Sequence, residues 1–238
     1  MTHLNLSIFA VPVLLASVVS ASAEDLDGSA SAQNWEGLYG GVQIGYSAGN
    51  TSSTAKGERI VQIIGALSIS ESDYDSNPDG VFGGIQAGYN VQVGSNLVLG
   101  IEAGINAGEI ADVYADPAAP SPDDTISSQI DWQASVRGRA GVTVGDTLLF
   151  GTGGMAWGKA SISMTAPLLP DESTTLTGWV VGAGTEHMVS EHTSLKLEYL
   201  YTSYQDHTWF PDDVDGRNYA LEAAVETHNV NVGLNYHF

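Results

Sequence analysis

The final ten residues alternate with almost no interruption. Val230, Val232, Leu234, Tyr236 and Phe238 fall on one face of an extended chain, and Asn229, Asn231, Gly233, Asn235 and His237 fall on the other. Successive side chains of a strand point to opposite faces, so this stretch is regular only as a strand with one apolar and one polar side. The pattern recurs upstream. Ile130, Trp132, Ala134, Val136, Ala140 and Val142 oppose Asp131, Gln133, Ser135, Arg137 and Arg139. Leu195, Leu197, Tyr199 and Tyr201 oppose Lys196, Glu198 and Thr202, and Leu99, Ile101, Ala103 and Ile105 oppose Glu102 and Asn106. A segment over 148–164 is too rich in glycine and small residues for its faces to be assigned.

Strands are expected at about 35–49, 80–94, 97–110, 129–145, 148–164, 174–189, 194–205 and 223–238. Short links with turn chemistry (Gly94-Ser95-Asn96, Gly145-Asp146-Thr147 and Ser190-Glu191-His192-Thr193) alternate with long ones at about 50–79, 111–128, 165–173 and 206–222. Short turns at one end and long loops at the other are the layout of bacterial transmembrane barrels. The stretch 60–69 is read either as an extension of strands above the membrane or as an extra hairpin. Beyond the N-terminal leader, no run of about 18 apolar residues is available for a spanning helix, so a membrane-spanning form has to be a closed barrel. The expected fold is all-β: an eight-stranded antiparallel transmembrane β-barrel with short periplasmic turns and long extracellular loops.

A soluble β-sandwich produces the same alternation. Two features favour lipid: charges are few on the strands and many in the links, and aromatic residues gather toward strand ends. Trp35, Tyr46, Tyr89, Trp132, Trp179, Tyr199, Tyr201, Tyr236 and Phe238 are read as interfacial belts. Residues 1–23 read as a signal peptide, with an apolar run IFAVPVLLASVV before Ala21-Ser22-Ala23, although MTHLNLS lacks Lys and Arg. A periplasmic segment over 24–34 and a barrel domain over 35–238 follow. Net charge is −21 and cysteine is absent. That balance argues against nucleic acid as a partner, since phosphate binding needs clustered cations. Thiolate metal sites and disulfides are excluded outright.

Several stretches resemble the alphaproteobacterial family of small outer-membrane β-barrel surface antigens, relatives of the OmpA-type transmembrane barrel. They are Trp35–Gly41 (WEGLYGG), Gly83–Asn90 (GGIQAGYN), Leu99–Ala103 (LGIEA), Ser135–Gly141 (SVRGRAG), Gly151–Gly158 (GTGGMAWG), Gly178–Glu186 (GWVVGAGTE), Ser194–Tyr199 (SLKLEY) and Val232–Phe238 (VGLNYHF). The resemblance implies an eight-stranded barrel in the cell outer membrane, with outer-membrane lipids and lipopolysaccharide as surroundings. It also implies insertion by the barrel-assembly machinery, which reads a terminal aromatic on an alternating strand: Tyr236 and Phe238 supply that signal.

Chemistry is sought first on the inward faces, which carry Glu102, Asp131, Arg137, Arg139, Glu186, Lys196 and Glu198. Opposite charges in a narrow interior should pair, since burying one alone is costly. The expectation is a structural ion-pair network filling the lumen, with a weak small-solute pore as the alternative. Asp75-Ser76-Asn77-Pro78-Asp79-Gly80 begins like a calcium loop, but Gln86 stands where a bidentate Glu is needed, and a turn explains the same residues. Histidines are scattered and no Gly-x-Ser-x-Gly elbow occurs, so no enzyme is expected. His207, near Tyr204, Trp209 and Phe210, is the candidate for a surface haem site, which members of the resembled family suggest; the interfacial belt and outer loop explain these residues better, and an acidic surface would repel haem propionates. The expected function is a structural, surface-exposed barrel supporting envelope integrity, without cofactors. A haem-binding or adhesive receptor is the alternative.

Overall fold

A computed structural model describes residues 34–59, 67–68, 72–115, 125–164, 172–205, 207–209 and 219–238. The segment expected to be a signal peptide (1–23) and most of 24–34 lie outside these residues. The strands are β1 (Gly37–Arg59), β2 (Leu67–Ser68), β3 (Ser72–Ser76), β4 (Asp79–Val93), β5 (Leu97–Ala115), β6 (Thr125–Val144), β7 (Thr147–Met164), β8 (Glu172–Ser190), β9 (Thr193–Tyr204), β10 (His207–Trp209) and β11 (Tyr219–His237). All pairings are antiparallel, and β11 closes on β1 to complete the barrel.

Eight staves make the barrel, because the three short strands continue others. β1 pairs with β4 through Ala48↔Asp79 and carries on along β3 at Thr51↔Ser76 in the same register, then reaches β2 at Glu58↔Ser68. Of the stretch 60–69 only Leu67–Ser68 is described, paired along β1; the rest of that expectation lies outside the described residues. The interruption falls at Asn77-Pro78, where proline has no N–H to give the ladder and its carbonyl accepts from Gly49 N at 2.7 Å. β10 likewise extends the line of β9 along β11, at His207↔Ala223. Most staves exceed the expected ranges on the long-loop side. Outside the bilayer a two-stranded ladder can still satisfy its backbone, so nothing stops it where the apolar alternation fades.

Register fixes the girth. The paired path from Tyr39 runs through Gly88, Glu102, Arg137, Gly154, Val180, Thr202 and Thr227 and returns to β1 at Gly49, ten residues above its start. Eight staves with that stagger tilt by about 40° and give a backbone radius of about 8 Å. Such an interior has room for side chains and little else. It explains the glycine content: a Cβ at Gly88 would overlap the Tyr39 hydroxyl, and one at Gly154 would overlap the Val136 carbonyl.

The outside is apolar. Val42, Ile44, Ile85, Ile101, Ile105, Val181, Leu195, Leu197, Val232 and Leu234 are all exposed large hydrophobics. Tyr46, Trp179 and Tyr201 stand toward the long-loop end, and Tyr89, Tyr236 and Phe238 toward the short-turn end, as girdles do. Trp35 departs from the expected belt. It is fully buried among Val98, Leu148, Phe150 and Met188, because residue 35 precedes β1 and folds inward as part of the barrel floor. β7, whose faces were unreadable, turns Leu148, Phe150, Ala156 and Ala160 inward.

Candidate functional site

The interior is layered. At the short-turn end, Trp35, Val98, Leu148, Phe150 and Met188 form a largely apolar floor. His237 stands above it, with Trp35 edge-on at 5.7 Å and Tyr39 stacked at 5.5 Å between ring centroids. Alternation aims Tyr39, Glu102, Arg137, Arg139, Glu186, Lys196 and Glu198 from five different staves at one level, and each is at most 4% exposed.

Arg139 anchors the lower side of this level. Its Nη2 donates to Glu186 Oε2 at 2.7 Å and its Nη1 to the Tyr39 hydroxyl at 2.9 Å. The guanidinium also lies 4.3 Å from the centre of the Phe150 ring. Tyr39 in turn donates to Glu102 Oε2 at 2.8 Å. Arg137 donates through Nη2 to Glu102 and through Nη1 to Glu198 Oε1 at 3.0 Å. Lys196 Nζ reaches both Glu102 oxygens at 3.1 and 3.2 Å, lies 3.4 Å from Glu198 Oε2, and donates to Gln86 Oε1. Three carboxylates thus meet three cations, and the level is neutral without a counter-ion. Desolvating six charges is affordable only with this density of pairing.

Neutral side chains complete the lattice. Gln86 donates to Asn235 Oδ1 at 2.6 Å, and Asn235 donates to Glu186 Oε1 at 2.6 Å. Ser194 also donates to Glu186 Oε1 at 2.6 Å and lies 2.9 Å from His237 Nε2. Sequence reasoning missed Tyr39, Gln86, Ser194, Asn235 and His237 as members. Their inward parity was the available signal, but parity does not rank polar side chains.

Asp131 does not join the cluster. The register between β6 and its neighbours shifts at Ile130/Trp132 and at Ala107/Ile110, so Asp131 is the extra residue of a β-bulge. It sits half-exposed at the long-loop rim, paired with Lys159 at 3.3 Å. The bulge reverses the parity above it: Ile130, expected outside, is buried with Phe82 and Ile110. These three form an upper apolar layer, and Leu176, Val180 and Tyr204 are buried as well. His207 lies in β10 with its backbone opposite Ala223, and its side chain is outside the described residues. Asp79 faces outward and accepts from the Tyr46 hydroxyl on the neighbouring stave, as a rim residue.

The comparisons agree with this architecture. Residues 11–238 match the family model described as outer membrane protein beta-barrel domain. The 31 kDa outer-membrane immunogenic protein of Brucella melitensis biotype 1 is 31% identical over 217 residues, covering 86% of this chain and 84% of the relative. The 22 kDa outer membrane protein of Rhizobium leguminosarum bv. viciae is 34% identical over 113 residues, covering 48% of this chain and 50% of the relative. Among solved structures, the outer membrane protease OmpT of Escherichia coli superposes with a TM-score of 0.53 at 11% identity, over 91% of this chain and 100% of that one. The outer membrane protein OprG of Pseudomonas aeruginosa gives 0.52 at 8%, over 87% and 98%. At those identities the two structures speak for the fold alone. With a closed eight-stave barrel and an apolar exterior, the chain belongs to the outer membrane protein beta-barrel family and resides in the cell outer membrane.

Proposed function

We propose that the protein is a structural barrel exposed at the cell surface, supporting envelope integrity, with an interior plugged by its ion-pair lattice instead of conducting solutes. One observation carries the reading: six buried charges from four staves neutralise one another at a level lying between two apolar layers. An ion entering would have to break paired contacts in a space about 8 Å in backbone radius. Surface exposure is supported by the name of a relative, an outer-membrane immunogenic protein. Lipopolysaccharide around the aromatic girdle, and an assembly machinery reading Tyr236 and Phe238, are the partners this reading expects. No specific observation favours haem or an enzymatic role.

The test is conductance of the wild-type protein in planar bilayers, expected at the level of the lipid alone. A steady, ion-selective current that collapses in Arg137→Ala would show that these charges line a path, and the plug would be abandoned.

A further inference from the structure

The barrel wall is notched near its upper rim. β9 stops at Tyr204 whereas β8 starts higher, at Glu172. The ladder between them ends at Gly178↔Tyr204, closed by Gln205 N donating to Thr177 O at 2.9 Å. Beside this end lies a cleft of about 350 Å³ lined by Trp179, Ser203, Tyr204 and Gln205, at the lower end of ligand-sized clefts. Trp179 and Ser203 are paired across the ladder and alternate away from the lumen, so the cleft opens on the outer wall.

A strip of rings leads from the cleft across three staves. Trp179 packs on Tyr201 with centroids 5.4 Å apart, and Tyr201 packs on His228 of β11 at 5.2 Å. The Tyr199 hydroxyl, 2.7 Å from His228 Nδ1, ties the far end. These contacts hold the Trp179 ring in place while it stays 48% exposed. The outward column of β9 climbs from Leu195 and Leu197 through Tyr199 and Tyr201 to Ser203. That of β11 climbs from Val232 and Val230 through His228 to Glu226. Aliphatic side chains give way to rings and then to polar groups, which is the order of hydrocarbon, interface and headgroup.

We infer that the cleft and its ring strip bind a sugar ring of lipopolysaccharide, gripping the headgroup from the side. The C–H face of a pyranose is apolar and weakly positive, and it stacks on the negative face of an indole. Ser203 and Gln205 offer donors and acceptors to its hydroxyls, as does Glu226, which stands opposite Ser203 and hydrogen-bonds with Tyr201. A phospholipid such as phosphatidylglycerol has no ring to stack. A soluble glycan would have to enter through lipid, because the cleft opens beside the exposed Val181 and Tyr199. The site rests on the lipopolysaccharide surroundings proposed above, and adds one preferred molecule at one place on the girth.

Native mass spectrometry of the mature barrel in detergent, titrated with rough-type lipopolysaccharide or with phosphatidylglycerol, tests the site. The wild type is expected to retain one lipopolysaccharide under conditions that strip phosphatidylglycerol. Trp179→Leu keeps an apolar side chain but removes the platform, and should weaken retention about tenfold, with Trp179→Phe restoring much of it. Tyr89→Leu, in the girdle at the opposite end, should leave it unchanged; heat-dependent gel mobility checks that each variant is folded. Equal losses in Trp179→Leu and Tyr89→Leu would refute the site and leave the surroundings standing. Core oligosaccharide, freed by mild acid and binding as tightly as the intact lipid, would overturn the headgroup in favour of a soluble glycan. A wild type without preference for lipopolysaccharide over phosphatidylglycerol would refute the surroundings as well.

Discussion

Arg137→Ala is the sharpest probe of the charged level. The arginine holds Glu102 and Glu198, the latter at 3.0 Å. Coulomb's law at that separation gives about 5 kcal/mol for one pair at an effective dielectric near 20. Lys196 remains beside both carboxylates after the substitution, at 3.1 Å from Glu102 and 3.4 Å from Glu198, and recovers part of the loss. Two cations then face three carboxylates in a dry interior, and the net destabilisation should be about 3–5 kcal/mol. Glu198→Gln made in the same chain restores neutrality, leaving Glu102 and Glu186 with Arg139 and Lys196. The double variant should therefore be more stable than the sum of the single losses by about 2 kcal/mol, as expected for contacting residues. Urea titrations of the barrel folded into vesicles, followed by tryptophan fluorescence, measure all four corners of the cycle. Additive losses, or an Arg137→Ala cost below about 1 kcal/mol, would mean that lumen water screens the level and that the pairing argument is wrong.

Three further outcomes follow from the same geometry. Leu234→Arg, on the lipid face, should cost about 2–4 kcal/mol in the same titration, whereas Asn235→Ser should cost about 1–2 kcal/mol by stranding Glu186 and Gln86. Gly154→Ala should destabilise by about 1–3 kcal/mol because its methyl meets the Val136 backbone, which cannot yield. Gly138→Ala, whose nearest atom is 3.9 Å away, should be neutral or better; thermal unfolding read by electrophoretic mobility ranks the two. N-terminal sequencing of the mature protein is expected to begin at Glu24, and retention of Met1 would refute the proposed leader.

How far the sequence could be read depended on whether the information was local. Alternation is local, so the eight staves, the short turns and the inward set Glu102, Arg137, Arg139, Glu186, Lys196 and Glu198 are visible in it. Pairing is not local: Arg137 and Glu198 are 61 residues apart, and register alone brings them to 3.0 Å. Asp131 shows a second limit. A bulge adds one residue and flips every face above it, but the flanking sequence still alternates, so the extra residue leaves no signature. Trp35 shows a third. Its fate in the barrel floor depends on the chain turning inward before β1, and composition reads it as a girdle residue. Asn235 looks interchangeable with any inward polar residue until its bonds to Gln86 and Glu186 are seen.

The seam between the first and last staves has a kinetic side. It runs unbroken from Tyr39↔His237 to Gly57↔Tyr219, and it joins the two ends of the domain. Every other junction closes a hairpin, but this one closes a loop of nearly the whole chain. Closing about 200 residues instead of about 10 adds on the order of 2–3 kcal/mol of chain entropy, and topologies dominated by such contacts fold slowly. Until it zips, two long strand edges carry unpaired N–H and C=O groups, which hydrocarbon cannot solvate. The late folding intermediate must therefore keep those edges in water or lend them to a strand of another protein. Substitutions along the seam should slow insertion far more than they lower the stability of the finished barrel.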